Sequence, residues 1–288
     1  MGLSAPAIAS MKVRNGDDRL VMVTAYDAPG ARIASAAGAD IILVGDSVAM
    51  VVLGYEDTLQ VTIDDMVHHV GAVARAKPES HIVGDLPWMS YHVSPEETVR
   101  NAAALMRAGA QSVKLEGGRK RLPMIEKIID AEIPVMGHIG LTPQSVHAMG
   151  GFKVQGRHAE HARKLVQAAK SLEHAGCFAI VLEGVPVEVA QAVTEAVSVP
   201  TIGIGAGPCT DGQVLVYHDL LGLEDRIIPK FVRRYADLNS ASVDAIRSFA
   251  SDVRSGAFPD AGESYHMTKE QAEEMGGLYG QLSEARHR

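Results

Sequence analysis

The chain has 288 residues, with 27 Lys+Arg against 35 Asp+Glu and a formal charge of −8; its pI is near 5.8. Hydrophobic residues make up 47% and charged residues 22%, enough apolar content for a core, which excludes intrinsic disorder, and the glycines lack a fibrous period. The acidic balance argues against a nucleic-acid partner, because phosphate binding rests on clustered Lys and Arg and the densest basic run is only Lys230 to Arg234.

At the start, MGLSAPAIASMKVRN lacks the apolar centre of a signal peptide, and Pro6 stands where a myristoylation signature needs Ser or Thr. Ala5 to Val13 reads as a short helix closing the N-terminal mouth of the fold. From there, short β-branched runs alternate with amphipathic stretches of helical length, the pattern of βα units around a parallel sheet. Strands are predicted over 20–24, 40–45, 81–85, 112–116, 134–138, 178–183, 201–205 and 214–218. Helices are predicted over 29–37, 63–76, 95–108, 123–130, 159–175 and 186–197, several opened by Pro or preceded by Asp, Ser or Thr. Gly38, Gly109 and Gly176 each follow a helix, where a left-handed residue ends it.

Eight such units in a chain of this length point to an α/β fold, a single (β/α)8 TIM barrel with an N-terminal capping helix. An open doubly wound sheet is the alternative, since the eighth unit is faint, but no dinucleotide-binding fingerprint supports it. Residues 1–258 are assigned to the barrel. Residues 259–288, polar and without strand rhythm, form a C-terminal extension with one charged helix, open also to use as a subunit contact. The apolar stretch Ile41 to Gly54 carries Asp46 and Ser47 and is too short to span a bilayer, so no membrane partner is expected. Cys177 and Cys209 make neither a metal-ligand spacing nor a disulfide framework, which suits a cytoplasmic protein.

A barrel places its chemistry at the C-terminal ends of its strands. Five consecutive predicted strands end in polar residues: Asp46 with Ser47, Asp85, Lys114 with Glu116, His138, and Glu183. Singly, each has an ordinary explanation, since an Asp after a strand commonly caps the next helix and a buried His is commonly satisfied by backbone. Together they resist it, because Asp46 and Asp85 are followed by expected loops. Lys114 and Glu116 are two apart, so alternation puts both on the barrel interior with Val113 and Leu115 outward. A buried ion pair brings no dependable stability, which favours a functional role.

Asp46, Asp85 and Glu116, with no Cys partner, suit a hard cation that takes oxygen ligands, Mg²⁺ before Zn²⁺. Glu183 is then available as a base. His68 and His69, like His158 and His161, read as surface residues. Gly203 to Gly207 is either a phosphate cradle or a tight small-residue turn, with Asp211 weighing against phosphate. Met50 to Thr62 reads as an apolar loop hinged at Gly54, a lid or a subunit interface.

The segments VTAYDAPGARI, VGDSVAMVVLGYEDTLQVTIDDMVHH, GDLPWMSY, VKLEGG, MGHIGLTPQSVHAMGGFKVQGR, IVLEGVP and IGIGAGPCTDGQVLVYHDLLGL resemble the ketopantoate hydroxymethyltransferase family across most of the barrel. GDS, GHIGLTPQ and IGIGAG with DGQVLV are highly specific in combination. The resemblance implies Mg²⁺-dependent transfer of the one-carbon unit of 5,10-methylenetetrahydrofolate to 3-methyl-2-oxobutanoate, giving 2-dehydropantoate and tetrahydrofolate in pantothenate biosynthesis. It implies Asp46 and Asp85 as direct metal ligands that also meet substrate, and Glu116 as a metal-site carboxylate acting through water. It further implies Ser47 and Lys114 as contacts to the keto-acid carboxylate, His138 as a lining residue, and Glu183 as the proton acceptor. A homo-oligomer is implied as well, a decamer of pentameric rings. Two other readings stay open: a Mg²⁺-dependent carbon–carbon lyase of 2-oxo acids, which would need no folate, and a non-catalytic assembly scaffold.

Overall fold

The computed structural model describes residues 2–13, 18–226 and 228–276, so 277–288 of the expected C-terminal extension lie outside the described residues. Eight parallel strands close into a barrel in sequence order. They are β1 Leu20–Thr24, β2 Ile41–Val44, β3 His81–Asp85, β4 Ser112–Glu116, β5 Val135–Gly140, β6 Ala179–Glu183, β7 Thr201–Ile204 and β8 Gly212–Leu215. Strand alternation divides the core in two. Leu20, Met22, Ile41, Leu43, Val83, Met136, Val181 and Val214 point inward and form one buried cluster. Ile42, Val44, Val113, Leu115 and Leu182 point outward against Met66, Val70, Leu105, Ile125 and Leu172 of the surrounding helices. Full burial of each such side chain contributes about 1.5–3 kcal/mol.

The helices begin where side-chain oxygens can take up free amides. Asp27 accepts from Gly30 N at 2.7 Å and Ser94 from Glu97 N at 3.1 Å. Thr62 and Asp65 cap each other's backbone ahead of Ile63–Arg75, and such caps are worth about 1 kcal/mol each. Gly109 ends Pro95–Ala108 at φ 114°, a conformation that a Cβ disfavours.

At the N-terminal mouth, the helix Ala5–Ala9 is shorter than the expected 5–13 and places Ala5 and Ile8 in the interior cluster. His81 ties it down. Its Nδ1 faces the Leu3 carbonyl at 2.9 Å and so carries the hydrogen, leaving Nε2 to accept from Ser112 Oγ at 2.9 Å.

Two further features depart from the sequence expectation, and an open alternative at the glycine run closes. β8 lies at 212–215, ahead of 214–218, because Tyr217 and His218 open the short helix Tyr217–Leu221. The connection 205–211 returns from β7 to β8 without a helix. It ends on Asp211, which accepts from Thr201 N and Oγ1 at 2.7 and 2.9 Å and pairs with Lys12 at 2.9 Å. Asp211 therefore sits at the N-terminal end of the barrel and bears on no phosphate at the rim. The glycine run is a packed turn: a Cβ on Gly205 would lie 2.7 Å from Phe231, and one on Gly207 2.5 Å from Val187. Finally, a one-turn helix, Val48–Val51, follows β2 where a loop was expected; the Ser47 that precedes it makes no side-chain cap.

Two compact units divide the chain, 1–236 with the barrel and 237–288. The second contains the helix Leu238–Ser255, capped by Asp237, and Phe249 packs edge-on against Phe258 with centroids 5.3 Å apart. Among the described residues, no helix is long and apolar enough to cross a membrane.

Candidate active site on the C-terminal rim of the barrel

Parallel register sets the ends of neighbouring strands side by side: Asp85 pairs with Lys114, Glu116 with His138, and Gly140 with Glu183. Lys114 Nζ lies 2.9 Å from Asp85 Oδ1 as an ion pair and 3.3 Å from His138 Nδ1. An ammonium only donates, so Nδ1 accepts and the ring hydrogen sits on Nε2, which lies 3.3 Å from Glu183 Oε2. Glu116 Oε1 approaches Nδ1 to 3.6 Å. Asp46, just beyond β2, joins through its backbone, whose N–H donates to Asp85 Oδ2 at 3.3 Å. The Asp46 side chain caps no helix; its Oδ2 accepts from Gln144 Nε2 at 2.9 Å. Ser47 sits beside the cluster with its hydroxyl 2.9 Å from the Tyr26 phenol.

Asp46, Asp85, Lys114, Glu116, His138 and Glu183 thus form one connected group. All are buried except Glu183, whose side chain keeps 15% exposure and is open to an incoming molecule.

The charges in this group are unbalanced. Burial is the largest influence on the inner carboxyls: it raises Asp46, raises Glu116 well above the usual range with help from Asp46, and raises Asp85 to about 7. For Lys114, burial opposes the charge, but Asp85, Glu116 and Asp46 outweigh it and hold the ammonium above the ordinary lysine value. Burial first, and then Lys114, lowers His138 and keeps its ring neutral. One lysine therefore faces more buried acid than it can neutralise, a condition that a bound cation relieves. Asp85 Oδ1 is buried without an aligned hydrogen-bond donor, so it has a lone pair to offer. Among the described residues, no group of three or more His, Cys, Asp or Glu is arranged so that it could hold a metal ion by itself. The all-oxygen set fits a hard divalent ion that fills its remaining positions with water and substrate.

His68, His158 and His161 are exposed as expected. His69 differs: it is half-buried, with Nδ1 2.7 Å from the Tyr26 carbonyl. Two residues at the centre of the site, Gln144 and Tyr91, escaped the sequence reading. Tyr91 OH donates to Gln144 Oε1 at 2.6 Å, and Gln144 N donates to Glu116 Oε2 at 3.1 Å. Gln144 stands in GLTPQ just after β5, so its place behind a rim strand was an available signal; Tyr91 lies farther along its loop and offered none.

A family described as ketopantoate hydroxymethyltransferase matches residues 3–261. A 3-methyl-2-oxobutanoate hydroxymethyltransferase of Ignicoccus hospitalis is 57% identical over 255 residues, covering 88% of this chain and 95% of that protein. One from Oleidesulfovibrio alaskensis is 53% identical over 264 residues, 91% of each chain. Among solved structures, phosphonopyruvate hydrolase aligns over 99% of both chains with a TM-score of 0.57 at 16% identity. A 2,3-dimethylmalate lyase aligns over 100% of this chain and 99% of its own, with a TM-score of 0.56 at 16% identity. Likeness at that identity shows the fold alone.

Proposed function

Since the chain belongs to the ketopantoate hydroxymethyltransferase family, we propose that the connected polar group on the barrel rim is its active site. The protein is a one-carbon transferase that adds a hydroxymethyl group to 3-methyl-2-oxobutanoate, forming 2-dehydropantoate in pantothenate biosynthesis. Its donor in this reading is 5,10-methylenetetrahydrofolate. The C3–H bond of the oxo acid breaks, C3 bonds to the methylene carbon, water supplies the hydroxyl, and tetrahydrofolate leaves.

Asp46 and Asp85 would hold Mg²⁺ directly and Glu116 through water, a role supported by the all-oxygen donor set gathered around a single lysine, which is ion-paired to Asp85 Oδ1 at 2.9 Å. Such an ion supplies Lewis acidity at the 2-oxo group of the substrate. Lys114 complements the substrate carboxylate, with Ser47 beside it. Glu183 accepts the C3 proton. His138, neutral, keeps Nε2 3.3 Å from Glu183 Oε2 and so limits where that carboxylate can stand. The observation that carries this reading is the double contact of His138, 3.3 Å from Lys114 and 3.3 Å from Glu183, which sets a carboxylate-binding cation and a base on opposite sides of one ring. The high identity to hydroxymethyltransferases weighs against the lyase and scaffold alternatives. A homo-oligomer, a decamer in the finer reading, and a cytoplasmic setting complete the proposal; the free Cys177 and Cys209 support the latter.

Proton abstraction can be tested apart from carbon–carbon bond formation. In heavy water with Mg²⁺ and 3-methyl-2-oxobutanoate but no folate, the wild-type enzyme is expected to exchange the C3 proton for deuterium. Glu183→Gln, nearly isosteric, should lose about 10²–10⁴-fold in both exchange and turnover. Exchange at the wild-type rate in that variant would remove Glu183 from the proton step and make His138 the next candidate. If the wild type exchanges only once a non-reactive folate analogue is added, the second substrate orders the site before the proton moves.

A further inference from the structure

Gln144 and Tyr91 have no part in the chemistry above, yet they close a ring of hydrogen bonds on Glu116 and tie Asp46 to it. Glu116 N–H donates to Tyr91 OH at 3.3 Å, Tyr91 OH donates to Gln144 Oε1 at 2.6 Å, and Gln144 N–H donates back to Glu116 Oε2 at 3.1 Å. The amide then has only one orientation. With Oε1 accepting from the phenol, Nε2 gives its two hydrogens to Asp46 Oδ2 at 2.9 Å and to Leu86 O at 3.0 Å. Both side chains are buried, so every donor of the pair is committed inside the protein, where a lost partner would go uncompensated. One residue therefore fixes two carboxylates: its side-chain amide holds Asp46 behind β2 while anchored at Leu86, next to Asp85, and its main-chain N–H holds Glu116 on β4. The clamp occupies Oδ2 of Asp46 and Oε2 of Glu116, which decides which oxygen of each carboxylate faces the site.

We propose that Gln144 is a positioning residue that, with Tyr91, holds the Asp46 and Glu116 carboxylates in the orientation that binds the divalent cation and thereby sets the enzyme's metal affinity. The inference rests on the Mg²⁺ reading of the site. Outer partners of this kind typically change metal affinity by about 10–100-fold when removed.

The test uses full-length protein and Mg²⁺ alone, titrated by calorimetry without substrate. Gln144→Met keeps the length of the side chain but cannot donate to Asp46; about 10–100-fold weaker Mg²⁺ binding is expected. Tyr91→Phe removes two of the ring's three bonds but leaves the Gln144 donation to Asp46 in place, and a smaller loss in the same direction is expected. In turnover, the Mg²⁺ concentration for half-maximal rate should rise by the factor seen in calorimetry, with most of kcat recovered at saturating Mg²⁺. A merely structural role would lower Tm and kcat at every Mg²⁺ concentration and leave the half-saturation point in place. That result overturns the proposal, as does wild-type affinity in a folded Gln144→Met. Should Gln144→Met fail to fold, Tyr91→Phe decides, and unchanged Mg²⁺ affinity there overturns it. A wild-type protein that binds no Mg²⁺ would sink the metal reading itself, an outcome distinct from equal binding by wild type and variant.

Discussion

His81 and His138 are both buried on the inward face of the barrel, yet they stand at opposite ends and are used differently. His138 lies among carboxylates at the rim, whereas His81 is occupied by Leu3 and Ser112 and holds the N-terminal segment to the barrel. Burial lowers the His81 pKa, against a smaller opposing effect of its bond to Leu3. The folded chain therefore holds this proton less tightly than the unfolded chain, whose histidines titrate near about 6.5. The stability owed to the neutral ring is complete above that value and is lost as pH falls from there through the folded pKa, at up to about 1.4 kcal/mol per pH unit. His81→Gln keeps a donor and an acceptor but does not titrate. Its urea midpoint should accordingly fall less steeply than that of the wild type on the acid side of about pH 6.5 and run parallel above it. Parallel curves on both sides would exclude His81 from the linkage. At this scale, the sequence showed the ionisable residues of the site because each ends a strand, and alternation told which way Lys114 and Glu116 point. It did not single out Gln144, whose place just after β5 was a signal, because an uncharged amide draws less notice than an ionisable group until its partners are known. Nor did it reveal that His69 turns inward to Tyr26, because that contact joins the segment after β1 to a helix some forty residues on.

Strands and helices were legible to within a few residues wherever an apolar run met a cap or a glycine, as at Pro95–Ala108, bounded by Ser94 and Gly109. β8 was harder to see. Gly212 and Gln213 look like turn residues, and the apolar text that follows suits a strand, so only the pairing of Gly212 with Leu20 and Ile202 reveals where the strand begins. The end of β5 shows how closely elements bear on the chemistry. Gly140 has φ 101°, and a Cβ there would stand 2.2 Å from the Glu183 carbonyl and 2.9 Å from Val185. Leu141 N also donates to that carbonyl at 2.7 Å. β5 thus presses its backbone against the residue read as the base. Gly140→Ala should cost about 1–3 kcal/mol from backbone strain and a similar amount from overpacking, read as a lower urea midpoint. Because relief requires the Glu183 backbone to move, deuterium exchange into the substrate should also fall in the fraction that remains folded. A destabilised variant with wild-type exchange would mean that the close approach serves packing alone.

Over the whole molecule, a good deal of apolar surface is left in contact with water. In the barrel unit, Leu53, Tyr55, Trp88, Met89, Phe152 and Val154 are exposed, all on segments that follow β2, β3 and β5. In the second unit, Val243, Ile246, Phe249 and Val253 are exposed and recur at helical spacing along Leu238–Ser255. Short helices gain most of their stability by packing an apolar face, and extended apolar patches mark contact surfaces. Both features support the homo-oligomer proposed above, and a closed symmetric assembly would bury equivalent patches on every copy. Sedimentation equilibrium at micromolar concentration is expected to give a mass several times the 30.6 kDa of one chain; a single-chain mass would remove the proposal. The double variant Ile246→Asp, Phe249→Asp places two charges on the helix stripe and changes no residue of the barrel unit. If the stripe forms the contact between copies, the mass should drop while the far-ultraviolet dichroism of the barrel persists, because burying unpaired carboxylates costs more than the lost apolar contact returns. An undiminished mass would instead assign assembly to the rim segments. Charges introduced at Leu53 and Phe152 would then be the ones to dissociate it, with loss of activity expected alongside, since those segments border the site.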